Sequence, residues 1–185
     1  MCPDNPNETE MPHERERTHI LSLILDGDMR NLGRAKEALE LALADPAQIA
    51  NLVDGLLDTS PIIRGGCANV LENIGRQWPD LIQPYASEIV DAVKGSSQKE
   101  VQWHAAQLAS HLALDSEQQD VMASCLIRWF DYSNSSIVRT MCLQGLHGLA
   151  QNDQRFQPSY EDCLRQAFES GTPAMKARAR KLVKP

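Results

Sequence analysis

Four short stretches of the chain recur at nearly constant spacing. Ile63-Arg64, Val101-Gln102, Val138-Arg139 and Met175-Lys176 are separated by steps of 38, 37 and 37 residues. Each pairs an apolar residue with a polar or basic one. A period of this length means that one structural unit of two helices is repeated, and that each unit buries its apolar face only against its neighbours. No other property of the chain narrows its possible folds as far.

The register is supported at three further offsets from these anchors. Offset −3 holds Ser60, Gln98, Ser135 and Thr172, three of them good helix N-caps. Offset +4 holds Cys67, Ala105, Cys142 and Ala179, all small, as close approach of a neighbouring helix requires. Offset +8 holds Leu71, Ala109, Leu146 and Val183, all apolar.

The helices between the anchors read in the same way. Ile20, Leu21, Leu23, Ile24 and Leu25 form a short first helix that Asp26-Gly27-Asp28 breaks, and Ala35, Ala38, Leu39 and Ala42 line a second. Asp45 before Pro46 reads as an N-cap, and Ile49, Leu52, Val53, Leu56 and Leu57 follow as an apolar stripe. Ser60-Pro61 repeats that device. Ile82, Tyr85, Ala86, Ile89, Val90 and Val93 read as one helix after Trp78-Pro79. Val101, Ala105, Leu108, Ala109 and Leu112 then make its partner. Ser116 with Gln119 reads as a capping box. In the last unit Tyr160, Cys163, Leu164, Ala167 and Phe168 face inward, and Thr172-Pro173 opens the final helix.

The expected fold is therefore all-α: a right-handed α-solenoid of about five helix pairs. A disordered N-terminal tail spans residues 1–15. A single domain over 16–185 has approximate repeats at 16–44, 45–77, 78–114, 115–151 and 157–185.

The helix pairs, the Ile-Arg or Val-Arg step opening the second helix, and the small residues after it resemble HEAT repeats, most clearly over 63–75 and 138–150. Asp58, six residues before Arg64, fits that family's pairing of a turn aspartate with the arginine. Gln102 and Lys176 replace the arginine elsewhere, and Asp131 lies eight residues before Arg139. Residues 101–107 and 170–175 also resemble small bacterial HEAT-repeat proteins. The resemblance implies a helical array whose second helices line one face, and it implies no activity of its own. A tetratricopeptide array is disfavoured, because its 34-residue period and its Trp and Gly-Tyr positions are missing.

Composition and motif content argue against most chemistry. The net charge of −7 disfavours a nucleic-acid partner, which would call for a basic face. The five cysteines, Cys2, Cys67, Cys125, Cys142 and Cys163, form no C-x-x-C pair, and the last four sit at apolar helix positions. They read as small buried hydrophobes of a reducing cytoplasm. No secretory leader and no membrane span is expected. The sole His-Glu dipeptide, His13-Glu14, lies in the tail, so neither a metal nor a cofactor is expected. His104 and His111 read as solvated surface histidines sharing a helix face. HEAT-like enzymes, the DNA-alkylation-repair glycosylases and bilin lyases, form the alternative to a non-catalytic role.

If offsets 0, +4, +7, +8 and +11 face inward, then +2, +6, +9 and +10 point out. Offset +6 is a ladder of Asn69, Gln107, Gln144 and Lys181; Trp103 stands at +2, with His111 and His147 at +10 and +9. Amides both donate and accept, which suits a peptide backbone, and an exposed Trp is a common interface anchor. The expected function is non-catalytic binding of a protein or peptide by a monomer. Its groove comprises Asn69, Trp103, Gln107, His111, Gln144 and His147. Lys176, Arg178, Arg180 and Lys181 form a second, basic patch. Residues 161–185 carry a net +3 against −10 for the rest, so this helix could dock an acidic partner or nucleic acid, or simply cap the array.

Overall fold

The computed structural model describes residues 18–26 and 34–183. The described residues are all-α, with no strand. The expected tail and the Gly27-Asp28 break lie outside them.

Eleven α-helices follow in order: α1 His19–Leu25, α2 Ala35–Ala44, α3 Gln48–Gly55, α4 Pro61–Gln77, α5 Pro79–Ile82, α6 Ala86–Lys94, α7 Lys99–Leu108, α8 Ser116–Tyr132, α9 Ser136–Asn152, α10 Gln157–Ser170 and α11 Pro173–Leu182. Short 3-10 turns at Gln83–Tyr85 and Gln154–Phe156 lead into α6 and α10. None of these helices is long and apolar enough to cross a membrane.

The packing follows the repeat. α4 lies against α7, α7 against α9, and α9 against α11. A second row runs beside the first, with α3 against α6, α6 against α8, and α8 against α10. Each pair, α3·α4, α6·α7, α8·α9 and α10·α11, joins the two rows, and α1 and α2 close on α4.

The inward offsets explain this order. The anchors Ile63, Val101, Val138 and Met175 are buried, as are Cys67, Ala105, Cys142 and Ala179 at +4. The small column lets backbones come close. Gly145 on α9 sits so near α7 that an added methyl would collide with the Ala106 carbonyl oxygen. The large side chains Phe130, Leu126, Leu143 and Leu146 fill the space between the rows and are fully buried. Each such side chain contributes on the order of 1.5–3 kcal/mol.

Several local expectations are corrected. Asp45 does not cap a helix starting at Pro46. Its Oδ1 accepts from the Ala47 amide at 3.2 Å, and the chain turns once more before α3 begins at Gln48. Ser60 does not cap α4 with its side chain; its own amide donates to Asp58 Oδ1 at 2.7 Å. The capping box lies one residue earlier than expected. Asp115 Oδ1 accepts from the Gln118 amide at 2.9 Å, and Gln118 Oε1 accepts from the Asp115 amide at 3.0 Å. Ser135 and Thr172 do cap their helices, accepting from the amides of Val138 and Met175.

The helix expected across Ile82–Val93 is broken at Gln83–Tyr85, where Pro84 has no N–H to continue it. Gln83 then pins the next turn: its Nε2 donates to the Ala113 carbonyl at 2.8 Å, and its Oε1 accepts from the Ala113 amide at 2.9 Å. α7 ends at Leu108, before Ala109 and Leu112, although both remain buried. Leu57, Phe168 and Val183, expected to face inward, are exposed. Leu57 lies past the end of α3, and Val183 lies past α11, which has no following helix among the described residues.

Candidate functional site

The candidate face is built by α4, α7, α9 and α11, and the structure divides it into three places. Asn69, Trp103, Gln107, His111, Gln144 and His147 are all half-buried, so none stands free in solvent as expected. The assumption that +2 and +9 always point out also fails. Gly65 and Thr140 at +2 are buried, and Glu72 at +9 is 4% exposed. The cause is the close stacking of successive second helices, which covers the flanks of each.

The first place is a polar seam between α4 and α7. The Glu72 carboxylate lies 3.8 Å from Arg76 on its own helix and 3.8 Å from His104 Nδ1 on the next. Asn69 Nδ2 stands 3.5 Å from His104 Nε2. Asn73 Nδ2 donates to the Asn69 carbonyl at 2.9 Å and its Oδ1 accepts from Arg76 at 2.6 Å. The Trp103 ring meets His104 edge-on, with centroids 5.4 Å apart, and packs partly against the core.

His104 is buried rather than a solvated surface histidine. Nor does it share a helix face with His111, which lies in the turn after α7. Burial lowers the His111 pKa; Glu72 pulls it up and Arg76 pushes it down, both by less. The carboxylate and the imidazole, at ion-pair rather than hydrogen-bond distance, link α4 to α7.

The second place joins α9 to α10. The His147 and Tyr160 rings lie 5.0 Å apart. His147 Nδ1, Tyr160 OH and Gln144 Oε1 are buried without hydrogen-bond partners. Burial lowers the His147 pKa and raises that of Tyr160. His147 therefore belongs with Tyr160, whereas Trp103 belongs with His104. The six residues do not converge on one point.

In the third place, two residues of the basic patch meet apolar residues that the sequence did not single out. A groove of about 340 Å³ opens between α9 and α11. Ile137, Thr140, Met141 and Ala177 line it with the cations Arg178 and Lys181. Ile137 is 52% exposed. Thr140 Oγ1 is spent on the Ser136 carbonyl at 2.7 Å, and the Ser136 and Thr172 hydroxyls bond at 2.8 Å across the two helices. Of the basic patch, Arg178 and Lys181 line this groove, while Lys176 is half-buried and Arg180 exposed. The available signal was the apolar Ile137 beside the buried anchor Val138, at an offset the inward pattern leaves free.

Among the described residues no group of three or more His, Cys, Asp or Glu side chains is placed to hold a metal ion. No family model, curated protein or solved structure matches the chain.

Proposed function

We propose that the chain is a HEAT-like, right-handed α-solenoid that works in the cytoplasm as a monomer. It binds a segment of a protein partner, without catalysis, on the face made by α4, α7, α9 and α11. The order of helix contacts supports the architecture: each second helix packs on the next, as a stacked array requires. The observation that carries the binding reading is the groove between α9 and α11. It combines an exposed apolar side chain, Ile137, with a rim of Arg178 and Lys181 in a chain of net charge −7. An extended or helical segment with an apolar residue flanked by carboxylates fits that arrangement, the apolar contact supplying affinity and the cations orientation. The polar ladder of Asn69, Gln107 and Gln144, with Trp103 beside it, extends the same face toward α4.

The test is site-specific photo-crosslinking in the native cell, with the photoreactive residue at Ile137, at Gln107, or at Lys94 on α6 of the other row. Adducts of one common protein at Ile137 and Gln107, absent at Lys94, are expected. Labelling that is equal at all three positions, or confined to Lys94, would refute the reading. Trp103→Ala combined with Gln144→Ala should weaken capture of that partner. Unchanged capture would remove the ladder from the site.

A further inference from the structure

The cations of this protein are unevenly satisfied. Among the described residues, every Lys and Arg outside α11 meets a carboxylate, a backbone carbonyl or an aromatic ring. Lys176, Arg178, Arg180 and Lys181, all on α11, meet none among those residues. Residues 171–183 contain no Asp or Glu that could pair with them. Yet acidic residues outnumber basic ones by 25 to 18 in the chain, so a shortage of carboxylates is not the cause.

Two of these cations, Arg178 and Lys181, rim the groove between α9 and α11, beside the exposed Ile137 and the half-buried Met141. They stand three residues apart on one helix, so their side chains are neighbours, with about 5–6 Å between Cβ atoms. The groove therefore offers an apolar wall next to a pair of uncommitted positive charges.

The complement of that surface stands in the first residues of the same chain. Residues 1–14 contain Asp4, Glu8, Glu10 and Glu14 and neither Lys nor Arg. In an extended backbone Glu8 and Glu10 project to one side about 7 Å apart, close to the spacing of the two cations. Pro6 lies between Asp4 and Glu8, an apolar residue flanked by carboxylates. The reach is sufficient. Asp4 and Glu10 precede Thr18, where the described chain begins, by fourteen and eight positions. An extended chain carries them about 46–50 Å and about 26–29 Å. The path α1–α4–α7–α9 takes three helix-to-helix steps. At about 8–10 Å each, these come to about 24–30 Å.

We infer that residues 4–10 dock in the α9–α11 groove of their own chain and regulate it as a built-in competitor. Pro6 rests on the apolar wall at Ile137, and the carboxylates of Asp4, Glu8 and Glu10 neutralise Arg178 and Lys181. A partner segment must displace this one to bind. The inference rests on the reading that the groove accepts a protein segment, and it names the regulation of that site.

Paramagnetic broadening in the full chain tests this. Cys67, Cys125, Cys142 and Cys163 are buried, so a nitroxide can be directed to position 7 by Asn7→Cys in a Cys2→Ser background. The amide signals of Ile137 and Ala177 should lose about half or more of their intensity, since a tether gives an effective concentration in the millimolar range. That of Lys94, on the other row, should not change. Salt at about 1 M, where the Debye length is about 3 Å, should restore the lost intensity. Arg178→Glu with Lys181→Glu should restore it too, and adding Asp4→Lys, Glu8→Lys and Glu10→Lys should bring the broadening back. Absence of broadening, broadening that survives salt or the double substitution, or broadening of an isotope-labelled chain by a separate nitroxide-bearing chain would overturn the inference. Asp4→Asn with Glu8→Gln and Glu10→Gln should also raise partner adducts at Ile137 about twofold or more. Adducts at Ile137 without broadening would sink this inference and leave the partner groove standing. Broadening without adducts would do the reverse.

Discussion

Arg64 of α4 and Gln98 of the α6–α7 turn hold consecutive repeats together. Arg64 Nε donates to Gln98 Oε1 at 2.9 Å, and Gln98 Nε2 donates back to the Pro61 carbonyl at 2.7 Å. The same guanidinium also takes the carbonyls of Asp58 and Thr59, at 2.7 and 3.0 Å. One side chain therefore closes its own turn and clasps the next.

Removing either end of this clasp should cost about 1 kcal/mol, and removing both should cost less than the sum of the two. Urea unfolding of Arg64→Ala, Gln98→Ala and the double variant measures the coupling. Strict additivity would show that the two residues act separately.

Gly145→Ala should destabilise the protein by about 1–3 kcal/mol, because the new methyl meets the backbone of α7, which cannot rotate away. Gly95→Ala is the matching control. Its φ of −93° is ordinary and nothing lies within 4 Å of the added carbon, so its effect should stay within about 0.5 kcal/mol. Thermal melts of the two variants against the parent decide the matter.

Burial pushes the thiols of Cys67 and Cys142 far above their ordinary range and that of Cys163 up to about 12. The thiolate is the reacting form, so native protein should resist iodoacetamide at these three positions and accept it after unfolding. Mass spectrometry of peptides from the two conditions reads this directly. Rapid native labelling of Cys67 or Cys142 would contradict the packing.

Burial also holds His147 and His111 below the usual imidazole pKa. Each ring takes a proton more readily in the unfolded chain, where its pKa is about 6.5, than in the folded one. Their contribution is thus fully present above that pH and falls as pH drops through it toward the lower folded value. The urea midpoint should be lower at about pH 5.5 than at about pH 7.5, and His147→Gln should show a smaller drop. An identical drop in parent and variant would exclude His147 as a contributor.

Much of the helical order was legible in the sequence because it rests on two simple signals: apolar side chains at a fixed spacing, and small ones where helices touch. Cys67, Ala105, Cys142 and Ala179 carried both, and all are buried. The polar face was less legible. A single helix predicts that Glu72 and Thr140 point outward, but the neighbouring helix covers them, and spacing along one helix carries no information about its neighbour's flank. Trp103 and His147 were placed on one stripe by offset. Trp103 meets its own neighbour His104 on α7, whereas the pairing of His147 with Tyr160 depends on how α10 approaches α9. The groove at Ile137 escaped notice for the same reason, since it exists only between two helices.

Gln102 stands where Arg64 stands one repeat earlier, and it closes its own turn in the same way. Each donates to the carbonyl six residues before it, Arg64 to Asp58 and Gln102 to Ser96. A neutral amide thus reaches the same carbonyl as a cation at this joint. The electrical character of the turn edge is thereby uncoupled from the closing of the turn itself. The charge at that edge can therefore change from one turn to the next while the turn keeps its closing bond.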